Sequence, residues 1–378
     1  MILTEEQTNI QSVARQFAVT HLTPFSAQWE KDAAFPRQAL ARMGALGFMG
    51  MTAPAEWGGA GADDVAYALA LEEIAAGDGA VSTIMSGHNS VGVMPILNFG
   101  NPAQKQKYLR GLTSGTTLSA FCLTEPQGGS DAASLRTRAV RHGNTYVLDG
   151  TKQYITSGST ADLALVFAVT DPAAGKRGIS AFIVDTKSPG YKVVRIEKKM
   201  GQNASDTCEI LLDGAVVPVE DRLGEEGQGY KIALANLEGG RIGIAAQCIG
   251  MARAALEMAI AYARDRVTFG KPIIEHQAVA FRLADMATSL EAARQLVHHA
   301  AALKGAGRPC LSEASMAKLF ASETAERICS DAIQTFGGAG YIQDAGVERI
   351  YRAVRVAKIY EGTNDIQRMV IARGFAAH

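Results

Sequence analysis

The 378-residue sequence predicts an α+β chain of three units: helices over 1–116, an antiparallel β region over 117–226 and a helical bundle over 227–378. Three observations predict it. Only Pro272 and Pro309 follow Val219, so the chain beyond that point can run as almost unbroken helix. Ile242, Ala245, Ile249, Ala252, Leu256, Ala259 and Ala263 recur in alternating steps of three and four, a narrow apolar seam on one helix face. Between the helical ends lie short runs rich in apolar, β-branched and aromatic residues: Thr117–Leu123, Thr145–Leu148, Leu163–Val169, Ile179–Val184 and Thr207–Leu212.

In the first unit, Thr4 followed by Gln7 makes a capping box, and Asp63–Ala76 and Ala80–Leu97 have helical spacing. Trp57-Gly58-Gly59-Ala60-Gly61 reads as the loop before them. In the second unit, turn signals at His142–Asn144, Asp149-Gly150, Pro172–Gly178 and Asp213-Gly214 separate the runs. No long helical pattern intervenes, which favours an antiparallel meander or barrel over a βαβ array. In the third, the alanines of the seam let helices approach closely, as in a bundle.

Composition narrows the function. Hydrophobic residues make up 47% and charged residues 20%, an ordinary globular balance. Net charge is -1 and no basic block runs along the chain, so nucleic acid and anionic membrane are not expected partners. Five scattered cysteines without a C-x-x-C pair argue against disulfides and zinc knuckles. The start is acidic, and apolar runs such as Leu163–Val169 are too short to span a bilayer, so a cytoplasmic location is expected. The Rossmann, P-loop and nucleophile-elbow signatures are missing. His298-His299 is the one adjacent histidine pair; neighbours on a helix diverge by about 100°, so it reads as surface or interface and no metal site is expected.

Three segments carry chemical interest. Phe121-Cys122-Leu123-Thr124-Glu125-Pro126-Gln127-Gly128-Gly129-Ser130-Asp131 leaves a strand for a glycine- and hydroxyl-rich loop, suited to pyrophosphate oxygens or a heterocycle edge. Taken alone it reads equally as a solvated turn. Lys152-Gln153-Tyr154-Ile155-Thr156-Ser157-Gly158 puts Tyr154 and Thr156 on one strand face by alternation, though cross-strand packing explains that pair better. Ile359-Tyr360-Glu361-Gly362-Thr363-Asn364 sets a carboxylate where one helix ends and another begins; by itself it also fits a solvated helix-end acid.

Together these segments resemble the acyl-CoA dehydrogenase family over nearly the whole chain. T-E-P-x-x-G-S-D, K-x-x-I-T, R-x-T-F-G-K at Arg266–Lys271, Q-x-F-G-G-x-G at Gln334–Gly340 and the closing I-Y-E-G-T stand in the family's order and spacing. The resemblance implies an N-terminal helical domain, a central β domain and a C-terminal four-helix bundle, with FAD as cofactor, an acyl-CoA substrate and Glu361 as the base that removes the α proton. The thioester oxygen would be held by the Glu361 N–H and a flavin ribityl hydroxyl. It places Thr124 at the flavin pyrimidine edge, Thr156 near N5, Phe121 and Tyr154 beside the isoalloxazine and Ser130 near the pyrophosphate. Arg266, Phe269, Gln334, Gly337 and Gly338 match positions that hold the adenine half from a neighbouring subunit, and Thr363 touches FAD. Ser130, Gly87, Glu238, Arg241, Glu361 and Gly362 match positions around the acyl-CoA. The resemblance further implies a homotetramer, a dimer of dimers, reoxidised by electron-transfer flavoprotein.

Departures from the family pattern are Tyr154 in place of a frequent Trp, Gln127 in place of a small residue, and Ala353 in place of an Asp whose ion pair is then expected to be missing. Gly240 stands where some branches carry the base, which leaves Glu361 as the candidate for that role. Ser86–Ser90 and Gly240–Ala245 look most like the short-chain and short-branched-chain branches. An acyl-CoA oxidase or monooxygenase on the same fold, and a non-catalytic acyl-CoA- or flavin-binding protein, are the rival readings.

Overall fold

A computed structural model describes residues 1–376. The first unit is built from α1 (Glu5–His21), α2 (Thr23–Asp32), α3 (Arg37–Ala45), α4 (Asp64–Gly77), α5 (Gly79–Gly87), α6 (Met94–Phe99) and α7 (Pro102–Thr113). The Thr4–Gln7 capping box forms as expected, and Asp63 caps α4 through the Ala66 N–H. Between α5 and α6 the chain widens into a π-helical segment, His88–Val93, which the spacing does not reveal. Such segments gather at functional sites.

The β region holds β1 (Ser119–Cys122), β2 (Arg138–His142), β3 (Thr145–Thr156), β4 (Leu163–Val169), β5 (Ile179–Asp185), β6 (Tyr191–Ile196), β7 (Thr207–Pro218) and β8 (Arg222–Leu223). They form one sheet in the order β6-β7-β3-β2-β4-β5-β8, with β1 alongside β4. Neighbours are mostly antiparallel, but β1 runs parallel to β4, so the sheet is mixed and is not a simple meander. β2, β6 and β8 escape the pattern reading because charged residues interrupt them or because they are too short to show alternation.

After the sheet come α8 (Gly229–Asp265), a hairpin of β9 (Val267–Thr268) and β10 (Lys271–Pro272), α9 (Gln277–Gly305), α10 (Leu311–Phe336), α11 (Gly338–Tyr341), α12 (Val347–Val354) and α13 (Asn364–Ala376). Helices α8, α9, α10 and α13 make the bundle, and every residue of the predicted α8 seam is buried. By length and composition α8 could cross a bilayer, contrary to the expectation that no segment could. However, 67% of an apolar 18-residue stretch of it is buried against the rest of the protein, so it is a core helix. His298 is also buried rather than at the surface, and burial pushes its pKa down. All five cysteines are buried and free.

Two buried ion clusters brace the fold, the first of them between the N-terminal and C-terminal units. Glu72 and Glu73 of α4 are almost wholly inaccessible and meet Arg253 of α8, Arg294 of α9 and Arg15 of α1. In the β region Lys152 of β3 and Glu125 of the loop after β1 pair at 2.7 Å, with side chains 0% and 1% exposed. Glu125 also accepts the N–H groups of Arg136 (2.7 Å) and Thr137 (3.1 Å). Burial works to raise its pKa, but Lys152 and these donors hold it below the usual carboxylate range. Removing one partner of such a pair strands a buried charge. Lys152→Met is therefore expected to cost about 3–5 kcal/mol of stability, checked by chemical denaturation against wild type.

Candidate active site

The segment between α12 and α13 makes an abrupt turn. Glu361 and Gly362 both have positive φ, 55° and 86°. For glutamate this left-handed conformation costs about 1 kcal/mol or more and persists only where the surroundings fix it. They do so here from below. Lys318 Nζ, on α10, donates to the Gly362 carbonyl and to Asn364 Oδ1, each at 2.9 Å. Gln367 Nε2 donates to the Gly362 carbonyl (2.9 Å) and to the Glu361 carbonyl (3.3 Å). With both carbonyls turned toward these donors, the Glu361 N–H has no acceptor among the described residues.

The Glu361 side chain lies against α8. A β-carbon built on Gly240 would come 1.6 Å from Glu361 Oε1, so the carboxylate fills the space a side chain at 240 would need. Oε1 is buried and has no hydrogen-bond partner. Burial raises the Glu361 pKa to about 7, against the opposing pull of Arg241 and then Lys318. The expectation of a solvated helix-end acid does not apply: this is a desolvated carboxylate, more basic than one in water.

Arg241 is buried and donates only to Ser315 Oγ (3.3 Å), while its Nε has no partner. Glu238 accepts from Cys310 Sγ (3.2 Å). Gly87 ends α5 beside this region, and a β-carbon on it would touch nothing within 4 Å. One turn before it, Thr83 joins a polar chain. Tyr360 donates to Gln247 Oε1 (2.9 Å), Gln247 Nε2 to Thr83, Thr83 to Gln202 Oε1 (2.6 Å), and Gln202 Nε2 to the Ala353 carbonyl (2.8 Å). Ala353 itself carries no charge, and the nearby ion pair is made by Arg352 with Glu30 (2.7 Å).

A second group lies in the β region. Thr124 follows β1 and Thr156 ends β3; both are half-buried, and neither hydroxyl has a partner among the described residues. The N–H groups of Gly129, Ser130 and Asp131 are likewise without acceptors, so the loop presents donors to an anion. Gln127 Nε2 donates to Glu125 Oε2 (2.6 Å), bracing the loop from within. Phe121 packs on Phe167, their ring centroids 4.8 Å apart. Tyr154 is 62% exposed with φ 58° at an irregularity between Lys152 and Ile155. That bulge breaks the simple alternation expected for β3: Lys152 and Ile155, three residues apart, are both buried.

A third group sits elsewhere. Arg266 precedes β9 and Phe269 sits in the β9–β10 turn; Gln334 is in the last turn of α10, Gly337 follows it and Gly338 opens α11; all five are exposed. Tyr262 stacks on Phe336 at 4.2 Å, which brings the two segments to one end of the bundle. Lys318 and Phe336 are separated by roughly 27 Å of helix, at about 1.5 Å per residue. Within one chain this group is far from Glu361.

Family models described as acyl-CoA dehydrogenase N-terminal, middle and C-terminal domains match residues 4–116, 120–215 and 227–376. The chain belongs to the acyl-CoA dehydrogenase family. It is 50% identical over 373 residues to an acyl-CoA dehydrogenase of Bacillus subtilis, covering 99% of this chain and 98% of that one. To the human mitochondrial short-chain specific acyl-CoA dehydrogenase it is 45% identical over 370 residues, covering 98% and 90%. The butyryl-CoA dehydrogenase of Megasphaera elsdenii superposes with a TM-score of 0.97 at 41% identity, covering 100% and 99%. As a member of this family the chain is a flavin-dependent oxidoreductase.

Lys318, Gln247, Thr83 and Gln202 are the residues around Glu361 that the sequence reading missed. A signal for Lys318 existed: it interrupts a stripe of small residues, Ala314, Ala317, Ala321 and Ala325, at helical spacing. The geometry at Gly240 also yields a test. Gly240→Ala is expected to push the Glu361 carboxylate aside and slow flavin reduction by acyl-CoA about a hundredfold. Stopped-flow absorbance on the folded, flavin-loaded variant measures this.

Proposed function

We propose that this acyl-CoA dehydrogenase binds FAD and converts a short or branched short-chain acyl-CoA to the trans-2-enoyl-CoA. The observation that carries the proposal is the Glu361 carboxylate, desolvated and unpartnered beside Gly240, with a free backbone N–H on the same residue. An α C–H beside a thioester is a weak acid, so removal of its proton needs a base and stabilisation of the enolate oxygen. Glu361 supplies the base through its carboxylate. Its N–H supplies one oxyanion donor, worth about 3–4 kcal/mol. When bound, the flavin supplies the acceptor for the β hydrogen and its electron pair.

The chain's own residues fit that cofactor. The free hydroxyls of Thr124 and Thr156 and the exposed ring of Tyr154 suit an isoalloxazine, with Phe121 behind them. The acceptor-free N–H groups around Ser130 suit the pyrophosphate. Thr363 is assigned a further FAD contact. Family resemblance gives Arg266, Phe269, Gln334, Gly337 and Gly338 to the cofactor of a neighbouring copy in a homotetramer, and their distance from Glu361 within one chain supports that reading. Gly87, Glu238, Arg241, Ser130 and Gly362 are assigned to the acyl-CoA, and 1–116, 117–226 and 227–378 to three domains. Electron-transfer flavoprotein is the proposed oxidant of the reduced enzyme, in the cytoplasm.

The test is an anaerobic titration with butyryl-CoA, following the oxidised flavin band. Bleaching is expected in wild type, and Glu361→Gln is expected to bind butyryl-CoA but bleach several orders of magnitude more slowly. Near-normal bleaching in that variant would remove Glu361 from the role. The pH dependence has a definite sign. Below about 7 the buried carboxyl holds its proton, so kcat/KM is expected to fall on the acid side near pH 7 rather than near 4.5. A pH–rate profile of flavin reduction checks this.

A further inference from the structure

Lys318 is wholly inaccessible, and its ammonium is bonded to two neutral oxygens, the Gly362 carbonyl and Asn364 Oδ1. A buried ammonium without a carboxylate partner is costly, and it takes part in no salt bridge among the described residues. The carboxylate that acts on it electrostatically is that of Glu361, the residue before the carbonyl it holds. Burial pushes the lysine pKa down to about 8, with Glu361 opposing that and Arg241 adding to it.

Resting on the reading of Glu361 as base, we propose that Lys318 is a positioning residue for the reaction: it pins the left-handed Glu361–Gly362 turn from beneath and supplies the positive charge that favours the ionised base. By accepting from Nζ, the Gly362 carbonyl is turned down toward α10, which fixes the backbone that carries Glu361. The groups facing Glu361 are Arg241 of α8, Lys318 of α10, Tyr67 of α4 and Tyr360 of its own segment. Only the first two are cationic. Cys248 of α8 faces Lys318, and burial pushes its thiol up to about 12, so it is neutral at working pH. Arg241, and after it Lys318, supply the positive charge available to the base.

The experiment measures anaerobic flavin reduction by butyryl-CoA across pH in the FAD-loaded enzyme and four variants. Lys318→Met is expected to move the acid limb up by about one pH unit, a roughly tenfold loss of rate below both limbs. Lys318→Arg keeps the charge and is expected to return the limb to its wild-type position, whatever its plateau. Asn364→Asp leaves the lysine in place but sets a carboxylate on its Nζ, and is expected to move the limb in the same direction as Lys318→Met. A purely structural anchor would lower the rate equally at every pH. An unmoved limb in Lys318→Met overturns the proposal; if that variant does not fold, an unmoved limb in Asn364→Asp does so. Glu361→Gln separates the two readings: if it reduces flavin at a near-normal rate, the base assignment fails, whereas a shifted limb with an inactive Glu361→Gln supports both.

Discussion

Helix α8 carries glycine at 240, 243 and 250, and at each of them another segment occupies the space a side chain would take. Glu361 stands against Gly240, Ser86 Oγ lies 2.5 Å from a β-carbon built on Gly243, and the Glu72 carbonyl lies 2.1 Å from one on Gly250. The end of the chain, the end of α5 and the middle of α4 therefore converge on one helix face. Small residues permit the approach, and the buried Glu72–Glu73 cluster with Arg253, Arg294 and Arg15 fixes its register. Without that convergence Glu361 would be a surface acid on a connecting turn.

Desolvation is what the convergence achieves. The surrounding helices take water from the Glu361 carboxylate, which raises its proton affinity, and two buried cations limit how far that rise goes. The base is thus poised near neutrality, with burial outweighing the two cations that oppose it. The backbone contributes in parallel: the carbonyls of Glu361 and Gly362 are claimed by Gln367 and Lys318, which leaves the Glu361 N–H available to an oxygen in the site.

The β region follows a related logic with a different buried pair. Lys152 and Glu125 connect β3 to the loop that carries Gly129 and Ser130, and Gln127 braces that loop further. The loop can then hold several backbone N–H groups unsatisfied toward one side, because its shape is fixed from the other. Tyr154 is turned outward by the bulge next to that same lysine.

The order of helices, strands and helices was legible in the chain because hydrophobic period and proline placement act locally. The capping box at Thr4, the α8 seam and the Glu361 segment were legible for the same reason, the last with the help of motif order. Short or charge-broken strands such as β2 and β6 were not, since their partners and not their own pattern hold them in the sheet. Nor was the parallel pairing of β1 with β4, which depends on residues more than forty positions apart. The sequence by itself determined which residue types stand at each motif. Only the tertiary structure decided that Glu361 is buried and bare, that Gly240 makes room for it, and that Lys318 lies beneath it, because burial and charge proximity arise only when distant segments meet.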